Sequence, residues 1–540
     1  MNIQKITVLV HNIRLPLDES VEYAFAYAKR KLRRLGVSLD GAACRLYRKS
    51  VDSRKKNDVH FVVSVAVGPL VCRLTESECQ KEGLALLNEA TLSCTQGELA
   101  LSVPPLIVGS GPAGLFCALL LAEKGYCPIV LERGGSVEQR KRAVRAFYET
   151  KILDTNTNIQ FGAGGAGTFS DGKLVTRIND PLSSYVLSRF VEFGAPEEIL
   201  YLAKPHVGTD ILSGIVDRML TKIEALGGRV YYNTCFLSYS ASGGRVKVAH
   251  TTRGDFQTDL LILATGHSSR DTYRALMKAD LAIEPKPFSV GMRIEHLARE
   301  IDESMYGEIY AHPALTHAEY NLSYDTKNRG VYTFCMCPGG EVVAATSEEG
   351  RVVVNGMSHH ARDGKNSNSA VVCSVFTSDY GNTSVGALDF IDRIERAAYG
   401  AAGSTYATPL CTVGDFLQAR DAHHEPSVVQ PTYMQSGFYK LCAPEKYLPS
   451  FVTEQIRAAL VHFDKRIHGF ASSHAILSGA ETRTSSPLRI TRDPLSRLAI
   501  GYHNLYPVGE GAGYAGGITS AAIDGIRCAL QIISKYAPIL

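Results

Sequence analysis

Glycines recur in this 540-residue sequence at a spacing that suits the binding of a phosphate group. The pattern G-x-G-x-x-G occurs three times, at residues 109–114, 162–167 and 511–516. In a dinucleotide-binding turn, the first glycine permits a tight turn, the second lets a pyrophosphate approach the backbone, and the third lets a helix pack closely on a strand. Because glycine spacing alone is weak evidence, the elements around each copy must decide what it can bind.

The first copy, Gly109, Gly111 and Gly114, has the complete context of a dinucleotide site. The strand-like LIVG leads into it, the helix-like GPAGLFCALLLAEKG follows, and Glu132 ends the next predicted strand, CPIVLE. An acid at that position can bind ribose hydroxyls, and the helix N-terminus offers free N–H groups to the phosphates. We therefore predict that this copy binds the dinucleotide.

The second copy cannot be a turn of this kind, because the TFSDGKLV that follows its glycines is not helical. Its glycines instead allow the backbone to lie flat against a large planar ligand, with Thr168 and Lys173 adding polar contacts. A flexible surface loop is the alternative interpretation. The flanking Phe161 and Phe169 argue against a purely solvated loop.

The third copy follows the predicted strand NLYPVGEG and precedes the predicted helix GGITSAAIDGIRCALQII. No second strand ending in an acid comes after it, so it cannot begin another nucleotide-binding domain. We expect this strand and helix to complete the first domain. Glu510 would then meet the sugar-like chain of the ligand, and the helix starting near Gly516 would direct its positive end at the ring.

Length and composition predict a soluble protein of several domains. A chain of 540 residues exceeds one simple core, and a hydrophobic content of 45% with 21% charged residues is ordinary for globular proteins. The apolar stretch LFCALLLA is far too short to span a membrane, and MNIQKITVLV lacks the pattern of a signal peptide. Thirteen cysteines without a C-x-x-C pair suit reduced thiols. We expect a cytoplasmic protein without membrane contact.

Residues 1–95 are predicted to form a small basic unit of strands and helices. KITVLV, CRLYRKS and VHFVVSVAV are strand-like, whereas ESVEYAFAYAKRKLRRL and ECQKEGLALLNEA are helix-like. The order β-α-β-β-α suits a ferredoxin-like split sheet. The excess of Lys and Arg here raises RNA or protein binding as an alternative role. No stacked aromatic signature accompanies it, so we do not expect a nucleic-acid partner.

Three motifs of the chain resemble those of the glutathione-reductase-like class of FAD proteins. They are LIVGSGPAGLFCALLLAEKGYCPIVLERG, LLILATG and NLYPVGEGAGYAGGITSAA. More narrowly, NIQFGAGGAGTFSDGKL, TFCMCPGGEVVAATSEEG, VVVNGMSHHARDGKNSNSA and ETRTSSPLRI resemble bacterial FAD-dependent or NAD(FAD)-utilizing dehydrogenases. This resemblance covers most of the chain. It implies FAD as the cofactor and an oxidoreductase, and it implies no particular substrate.

The resemblance also implies positions for the cofactor. Arg133 and Arg140 would line the adenine side, and the loop 164–173 would lie along the ribityl chain and flavin. Residues 264–266 would pack beneath the cofactor, and residues 516–518 would meet the pyrimidine edge. The full set of implied cofactor residues is Gly109, Gly111, Pro112, Ala113, Gly114, Glu132, Arg133, Arg140, Gly164, Gly165, Gly167, Thr168, Lys173, Ala264, Thr265, Gly266, Gly509, Glu510, Gly516, Gly517 and Ile518.

The predicted fold class is α/β. A discontinuous Rossmann-type FAD-binding domain would comprise residues 96–275 and 475–540. An inserted α+β substrate or cap domain would comprise residues 276–474, after the ferredoxin-like α+β unit of residues 1–95. The chain lacks a second Rossmann unit and a C-x-x-x-x-C pair beside the first helix. Disulfide reduction of the type that uses such a pair is therefore not expected.

Two charged residues are candidates for catalysis. Arg483 in ETRTSSP could face substrate or flavin, and the alternative is a structural salt bridge with Glu481 or a neighbouring residue. His206 in KPHVGTD could be catalytic, but a single histidine is equally well explained as structural. The segment NGMSHHARDGKNSNS concentrates polar residues and suits the wall or lid of an active site. Its adjacent histidines do not have the spacing of metal ligands, so we predict no metal site.

Cys335 and Cys337 in FCMC raise the possibility of redox chemistry, with Cys337 as the catalytic candidate. In a regular strand, residues two apart lie about 6.5 Å from each other with parallel side chains. That geometry is poor for a disulfide, and free cysteines are commonly buried core residues.

Together these features predict an FAD-dependent oxidoreductase that transfers a hydride through flavin N5 to or from an unidentified small molecule. NAD(P)H is a candidate transient electron donor. A flavin-dependent monooxygenase is the alternative within enzymes. An RNA- or protein-binding flavoprotein acting through the basic N-terminal unit is the alternative of another class.

Overall fold

The N-terminal unit is an antiparallel sheet packed against one long helix. This computed structural model describes residues 6–71, 75–87, 92, 94–176, 180–326, 329–435 and 437–539. The first elements are β1 (Ile6–Leu15), α1 (Val21–Arg34), β2 (Ala43–Asp52), β3 (His60–Leu70), α2 (Glu76–Lys81) and β4 (Leu84–Leu87). The strands lie in the order β2-β3-β1-β4, the order of a split β-α-β sheet. The buried face of α1, with Ala24, Ala28 and Leu32, packs on this sheet.

The prediction of a second helix in this unit is wrong for the second half of the predicted segment. Over ECQKEGLALLNEA, α2 ends at Lys81, and β4 pairs with β1 as an antiparallel strand. Gly83 has a φ of +64°, a left-handed conformation that glycine adopts easily and that ends the helix. The apolar run LALL then extends the sheet, a long-range pairing that helical periodicity does not reveal. Residues 88–90 of the predicted helix lie outside the described residues.

Residues 94–281 contain four strands of three residues, together with long helices and three consecutive longer strands. The elements are β5 (Leu106–Val108), α3 (Pro112–Glu123), β6 (Ile129–Leu131), α4 (Val137–Thr150), α5 (Leu182–Glu192), α6 (Thr209–Ala225), β7 (Arg229–Tyr231), β8 (Phe236–Ser242), β9 (Arg245–Thr251), β10 (Gly254–Gln257), β11 (Leu261–Leu263) and α7 (Arg270–Lys278). The alternation of the three-residue strands with helices is typical of a parallel sheet covered by helices.

The rest of the chain is richer in strands. Its elements are β12 (Ile283–Pro285), β13 (Phe288–Leu297), α8 (Ala298–Tyr306), β14 (Ser323–Thr326), β15 (Arg329–Cys337), β16 (Glu341–Ala344), β17 (Val354–Met357), β18 (Asn366–Val375), α9 (Ser384–Ala401), β19 (Thr408–Thr412), α10 (Val413–Leu417), β20 (Tyr439–Leu441), α11 (Ser450–Asp464), β21 (Ile476–Glu481), β22 (Leu488–Ile490), β23 (Leu505–Pro507) and α12 (Ile518–Ile533). The last strand and helix return to the parallel sheet described next.

The parallel sheet has the strand order β23-β11-β5-β6-β7. β5, β11 and β23 are wholly buried, which explains their short, continuously apolar sequences. α3 is buried along almost its whole length because it packs against both α12 and α6. The antiparallel sheet β10-β9-β8 lies in the connection between β7 and β11. Within the described ranges, no helix is long and apolar enough to cross a membrane.

A second, mixed sheet of seven strands has the order β14-β15-β18-β13-β21-β19-β20. β13 lies inside it and pairs with β18 over its whole length and with β21 on its other side. The predicted boundary at residue 475 is therefore too early, because β21 at 476–481 still belongs to this sheet. The run ILSGA is buried on both faces. Its sequence pattern is therefore consistent with a strand of either the parallel sheet or the mixed sheet.

The N-terminal unit is joined to the rest of the chain by backbone hydrogen bonds at the edge strand β2. The amide of Lys49 donates to the carbonyl oxygen of Tyr201 at 2.7 Å, and the amide of Ala203 donates to that of Lys49 at 2.8 Å. Pairing of this kind covers an exposed sheet edge. The basic unit thus lies against the segment that precedes α6.

Candidate functional site

A cavity of about 340 Å³ opens at the carboxyl end of the parallel sheet and is bounded on its other side by residues of the second sheet. Residues that directly follow β5, β6, β11 and β23 line it, which is where ligands bind in open parallel sheets. Most of the implied cofactor residues surround this one cavity. Those that line it are Gly109, Gly111, Pro112, Ala113, Glu132, Arg133, Gly165, Gly167, Lys173, Ala264, Thr265, Gly266, Glu510, Gly516, Gly517 and Ile518.

The first glycine copy forms a tight turn between β5 and α3. Gly109 has a φ of +102°, and a Cβ there would lie 2.3 Å from the carbonyl oxygen of Ala264. Gly111 is the N-cap of α3 and provides no side-chain acceptor, so the first amides of the helix are left for a phosphate. A Cβ at Gly111 would meet only Gly165, at 3.8 Å. The second position is therefore open, as the approach of a pyrophosphate requires.

Gly114 does not line the cavity but sets the distance between the helix and the strand. A Cβ at Gly114 would lie 1.9 Å from the carbonyl oxygen of Gly109. Any larger residue would push α3 away from the turn. The third glycine thus acts through packing rather than through ligand contact.

Glu132 lies at the cavity with its carboxylate already engaged. One oxygen accepts from the amide of Ser110 at 3.1 Å and from the Ser110 hydroxyl at 2.5 Å. The other accepts from the amides of Gly134 and Gly162, both at 3.0 Å. Contact with a ribose would therefore replace one of these donors, most simply the rotatable hydroxyl of Ser110. Beside it, Arg133 stacks over Phe161 with its guanidinium 4.5 Å from the ring centroid.

Arg140 does not line the cavity, contrary to the implied adenine contact. Its buried guanidinium donates to the carbonyl oxygens of Asn158 at 2.8 Å and Ile159 at 2.7 Å, just before the second glycine copy, and to that of Ala163 at 2.8 Å within it. It also lies 4.7 Å from the centroid of the Phe169 ring. Burial lowers the pKa of Arg140 to about 10, so the group remains charged at neutral pH. Arg140 organises the glycine loop from behind.

The second glycine copy is a buried loop rather than a flexible surface loop. Gly164 and Thr168 also lie behind the cavity, because a Cβ at Gly164 would meet the Thr168 hydroxyl at 2.2 Å and Val216 of α6 at 2.8 Å. Lys173 at the end of the loop does face the cavity. Burial alone would lower the pKa of Lys173, but the carboxylates of Asp171 and Glu319 raise it. Lys173 is therefore a cation at the cavity wall.

The third glycine copy leads from β23 to the N-terminus of α12. Gly517 is the N-cap, and a Cβ at Gly516 or Gly517 would have no atom within 4 Å. The helix therefore presents an open positive end to the cavity. Gly509 lies outside the cavity lining, and its amide donates to Asp524 at 2.7 Å. Burial raises the pKa of the cavity carboxyl group of Glu510 to about 7.

His267 is a cavity residue that the sequence interpretation missed. It directly follows the motif at 264–266 at the carboxyl end of β11, and that position was the available signal. Its Nδ1 lies 3.8 Å from a carboxylate oxygen of Glu510. Within the described part of the chain, its buried Nε2 has no hydrogen-bond partner. Burial, with a contribution from Arg483, lowers the pKa of His267 to about 4, so the ring is neutral at physiological pH.

Arg483 lines the cavity, and its alternative salt bridge with Glu481 does not form. Glu481 instead pairs with Arg293 at 3.1 Å. The Nη1 of Arg483 donates to the Ser347 hydroxyl at 2.6 Å, and its Nε lies 3.5 Å from Glu395. Its buried Nη2 has no hydrogen-bond partner among the described residues. One nitrogen of this guanidinium is thus left for a ligand.

His206 is not brought to the cavity, so its catalytic assignment is not supported. Its Nε2 lies 3.1 Å from the carbonyl oxygen of His360, and the two imidazole rings stack with centroids 5.3 Å apart. Burial lowers the pKa of His206 to about 4. The imidazole ring of His206 packs against the segment behind Lys173. In that segment, Arg362 of the polar cluster pairs with Asp171 at 2.5 Å.

Cys337 is fully buried and does not line the cavity, whereas Cys335 does. The expected regular strand is wrong at this point. β15 pairs with β18 through Phe334 and Ala370 and next through Cys337 and Asn368, so one extra residue is present in β15. Cys335 at this bulge has a φ of +44°. The two cysteines therefore do not have the parallel side chains of a regular strand.

One group of three possible metal ligands, Asp415, His423 and His424, comes together away from the cavity. The Nδ1 of His424 lies 2.5 Å from Asp415, whose carboxylate also accepts from the backbone amides of both histidines. The turn that brings them together already satisfies that carboxylate.

Comparison with known proteins identifies the family. Residues 287–484 match the model "FAD-dependent protein, C-terminal domain-like", and residues 102–150 match "FAD binding domain". An "Uncharacterized protein" of Clostridium beijerinckii (strain ATCC 51743 / NCIMB 8052) is 41% identical, over 98% of this chain and 99% of that relative. The chain belongs to this family of FAD-dependent proteins. FAD is its cofactor.

Several solved structures show distant similarity to this chain. L-proline dehydrogenase from P.horikoshii is 13% identical, with 80% of this chain and 93% of that chain covered and a TM-score of 0.33. L-amino acid deaminase from Proteus vulgaris is 13% identical, with coverages of 84% and 98% and a TM-score of 0.32. The complex of CtdE with FAD is 13% identical, with coverages of 78% and 82% and a TM-score of 0.32.

The residues of the cavity fit this cofactor. The open positions at Gly111, Gly266, Gly516 and Gly517 leave room along its length, since a Cβ at the last three would meet no atom within 4 Å. The N-termini of α3 and α12 both point at it and favour negatively charged groups. His267 and Arg483, each with one buried nitrogen that has no partner among the described residues, both line the same cavity.

Proposed function

We propose that this protein transfers a hydride between its FAD and a small molecule that carries an anionic group. Two buried nitrogens support this most directly: Nη2 of Arg483 and Nε2 of His267 have no hydrogen-bond partner among the described residues, and both residues line one cavity. Buried polar atoms without partners are uncommon in proteins, and a ligand is one explanation for them. When bound, FAD supplies a flavin ring that accepts or donates the hydride.

The glycine turns hold the cofactor in this proposal. The turn at Gly109 and Gly111, with the N-terminus of α3, binds the pyrophosphate. The N-terminus of α12 at Gly517 stabilises negative charge on the reduced ring, which makes reduction easier. The loop backed by Arg140 forms a fixed wall, because its carbonyl groups are tied to a buried guanidinium.

Arg483 anchors the anionic group of the substrate. Its present partners are the Ser347 hydroxyl and Glu395, and Glu395 is shared with the buried Arg270. Glu395 therefore divides its single negative charge between the guanidinium groups of Arg270 and Arg483. A guanidinium in a buried site binds a carboxylate strongly, because its donors form a planar fork and water is excluded.

His267 accepts the proton that substrate oxidation releases. A group that is to accept a proton must be unprotonated beforehand, and the lowered pKa of about 4 meets this requirement at neutral pH. The carboxyl group of Glu510 lies near Nδ1 and stabilises the imidazolium that forms. The pKa of about 7 for Glu510 allows it to pass this proton on.

Carboxylate binding tests the role of Arg483. Benzoate and acetate are titrated into the purified holoprotein while the flavin absorption is followed, with benzamide and acetamide as neutral controls of matched shape. We expect the acids to perturb the flavin and the amides to do so much less. Arg483→Met should weaken the binding of the acids by about tenfold or more, and Arg483→Lys should weaken it by less. Equal responses to acids and amides would contradict an anion site.

The electron donor is tested by anaerobic titration of the holoprotein with NADH and NADPH. NAD(P)H is proposed as a transient donor because oxidoreductases with a single nucleotide domain can be reduced by a nicotinamide that binds only briefly. Rapid bleaching of the flavin band is the expected result. An unchanged band would mean that electrons enter from the substrate or from another donor, and the nicotinamide would be discarded from the proposal.

A further inference from the structure

We propose that Cys335 and Cys337 form a dithiol–disulfide pair that exchanges two electrons with the flavin. The proposal rests on the proposed function in one respect, since it requires a reducible FAD in the same cavity. It adds a substrate class, because a dithiol beside a flavin can pass electrons to or from disulfide and thiol compounds.

The bulge in β15 gives the two cysteines a geometry that a regular strand does not. Between Phe334 and Cys337 the strand contains one residue more than its partner β18, and Cys335 has a φ of +44°. The Sγ of Cys337 lies 3.4 Å from the carbonyl oxygen of Cys335. The side chain of Cys337 is therefore turned toward its neighbour, and the argument from parallel side chains against a disulfide does not apply.

The two thiols differ in access. Cys335 is half-buried and lines the cavity together with Phe334 and Asn355. Cys337 is wholly buried behind it. Cys335 is thus the member that can react with a molecule in the cavity, and Cys337 is the member that can resolve the product internally. This division of roles is typical of redox-active cysteine pairs.

A buried guanidinium lies against both cysteines. The Nη2 of Arg293 is 2.5 Å from the carbonyl oxygen of Cys335 and 3.5 Å from the Sγ of Cys337. Arg293 is shared with Glu481, at 3.1 Å, and with Asn368, at 2.7 Å. A cation beside a thiol stabilises the thiolate, which is the reactive form.

The charges in this cluster favour one thiolate and one thiol. A hydrogen bond from Cys337 lowers the pKa of Cys335 to about 6 against the effect of burial, and Arg293 and Lys173 add to the lowering. The same interaction raises the pKa of Cys337. The thiolate is therefore favoured at Cys335, and the protonated thiol is favoured at Cys337.

The redox step balances with these two groups and the cofactor alone. When the pair is oxidised, an S–S bond forms between the Cys335 thiolate and the Cys337 sulfur, and the S–H bond of Cys337 breaks. Two electrons and that proton pass to the flavin, which becomes the anionic reduced ring. In the reverse direction the disulfide takes up two electrons and one proton, and it can then reduce a second disulfide by exchange.

A disulfide at this position would serve redox chemistry rather than stability. The stability gained from a disulfide grows with the length of the loop that it closes, and this one would close a loop of only three residues. The pair also lies in the second sheet, whereas the C-x-x-x-x-C pair that the chain lacks would lie beside the first helix. The absence of that motif therefore does not exclude thiol chemistry here.

Electron counting tests the proposal. The holoprotein is oxidised with diamide, freed of excess reagent, and titrated anaerobically with dithionite while the flavin is followed. Wild-type protein should take up about four electrons per FAD, two for the ring and two for the pair, and Cys337→Ser about two. Cys127→Ser, a half-buried cysteine outside the cluster, should keep the wild-type value. About two electrons in wild-type protein with a fully reduced flavin would overturn the pair.

Mass spectrometry of unmutated protein gives a second readout. Trypsin should release residues 330–351, whose only cysteines are Cys335 and Cys337. After diamide this peptide should resist alkylation, and after dithionite it should carry two alkyl groups. Two alkyl groups in both samples, or flavin attached to the peptide, would overturn the proposal. A protein without FAD, or with a flavin that dithionite cannot reduce, would instead contradict the proposed function.

Discussion

The Nη1 of Arg140 donates a hydrogen bond of 2.8 Å to the carbonyl oxygen of Gly165, a residue that lines the cofactor cavity. Arg140 itself has no part in the lining and is almost wholly buried. A charged side chain behind the loop thus sets the position of the backbone that faces the cofactor. This relationship leads to the first prediction.

Arg140→Met should destabilise the protein and release FAD. The substitution leaves several buried carbonyl groups without donors, and we expect a loss of about 3 kcal/mol in the free energy of unfolding. Arg142→Met on the exposed face of the same helix should change it by less than about 0.5 kcal/mol. Urea unfolding and the FAD-to-protein absorbance ratio measure both effects. Normal FAD content in Arg140→Met would show that the loop holds its shape without the guanidinium.

Gly111→Val should remove FAD while leaving the fold intact. The residue has a φ of −66°, which valine can adopt, and a Cβ there would meet nothing closer than 3.8 Å. The added methyl groups would occupy the space that a pyrophosphate needs. We expect an apoprotein whose circular dichroism matches that of wild-type apoprotein. Retention of FAD by this variant would place the phosphates elsewhere in the cavity.

Cys337→Ala should make Cys335 less reactive at neutral pH. The hydrogen bond from Cys337 is the main cause of the lowered pKa of Cys335, so its loss should raise that pKa from about 6 toward the ordinary thiol value. The rate of iodoacetamide alkylation of Cys335 at about pH 7 should fall accordingly. Cys337→Ser, whose hydroxyl can still donate a hydrogen bond, is the control. Its rate of Cys335 alkylation should lie between the rates of wild type and Cys337→Ala. An unchanged pH profile in Cys337→Ala would assign the activation to Arg293 and Lys173 instead.

Glu510→Gln should change how the stability of the apoprotein depends on pH. Burial raises the pKa of Glu510 from 4.5 to about 7, so the folded state retains a proton that the unfolded state has lost in this window. The contribution of Glu510 is present at low pH and is lost as the pH rises to about 7. The free energy of unfolding of wild-type protein, relative to Glu510→Gln, should therefore decrease between about pH 5 and pH 7.

The charged neighbours of Glu510 define the control for that experiment. His267 lies 3.8 Å away, and Lys286 and Cys335 also act on the carboxyl group. His267 has a lowered pKa and should contribute the opposite slope, with stability rising between about pH 4 and pH 6.5. The contribution of His267 cancels to first order when the free energy of unfolding of Glu510→Gln is subtracted from that of wild type. A pH-independent difference would show that Glu510 titrates normally in the fold.

The sequence was informative where local pattern and glycine chemistry coincide. LIVG and GPAGLFCALLLAEKG predicted β5 and α3, and NLYPVGEG with the following helix was correctly joined to the same sheet. The glycine spacing placed Gly109, Gly111 and Gly516 around one cavity, because glycine is the residue that permits such turns and close approaches. Local pattern failed at ECQKEGLALLNEA, where pairing with β1 overrode helical periodicity for β4.

Three features of the site depended on tertiary structure. Arg140 is a support rather than a ligand contact because its partners come from a loop that folds back over α4. His267 became a candidate only when burial and an unpartnered nitrogen were seen together. For Arg483 the sequence left a salt bridge with Glu481 open as the alternative to a ligand contact, and only the structure shows that Glu481 is held by Arg293 on a different strand. Such pairings depend on which elements, distant in sequence, come into contact. The spacing of residues along the chain does not reveal these contacts.

By itself, the sequence determined the glycine turn between β5 and α3, the parallel core and the cofactor, since these follow from short stretches whose backbone requirements only certain residues meet. The tertiary structure alone decided which polar side chains face the cavity and which support it. It also decided the relation of Cys335 to Cys337, because one extra residue in β15 is defined only by its pairing with β18. Burial, pKa and partner choice arise from atoms far apart in the chain, and they exist only once the sheets have come together.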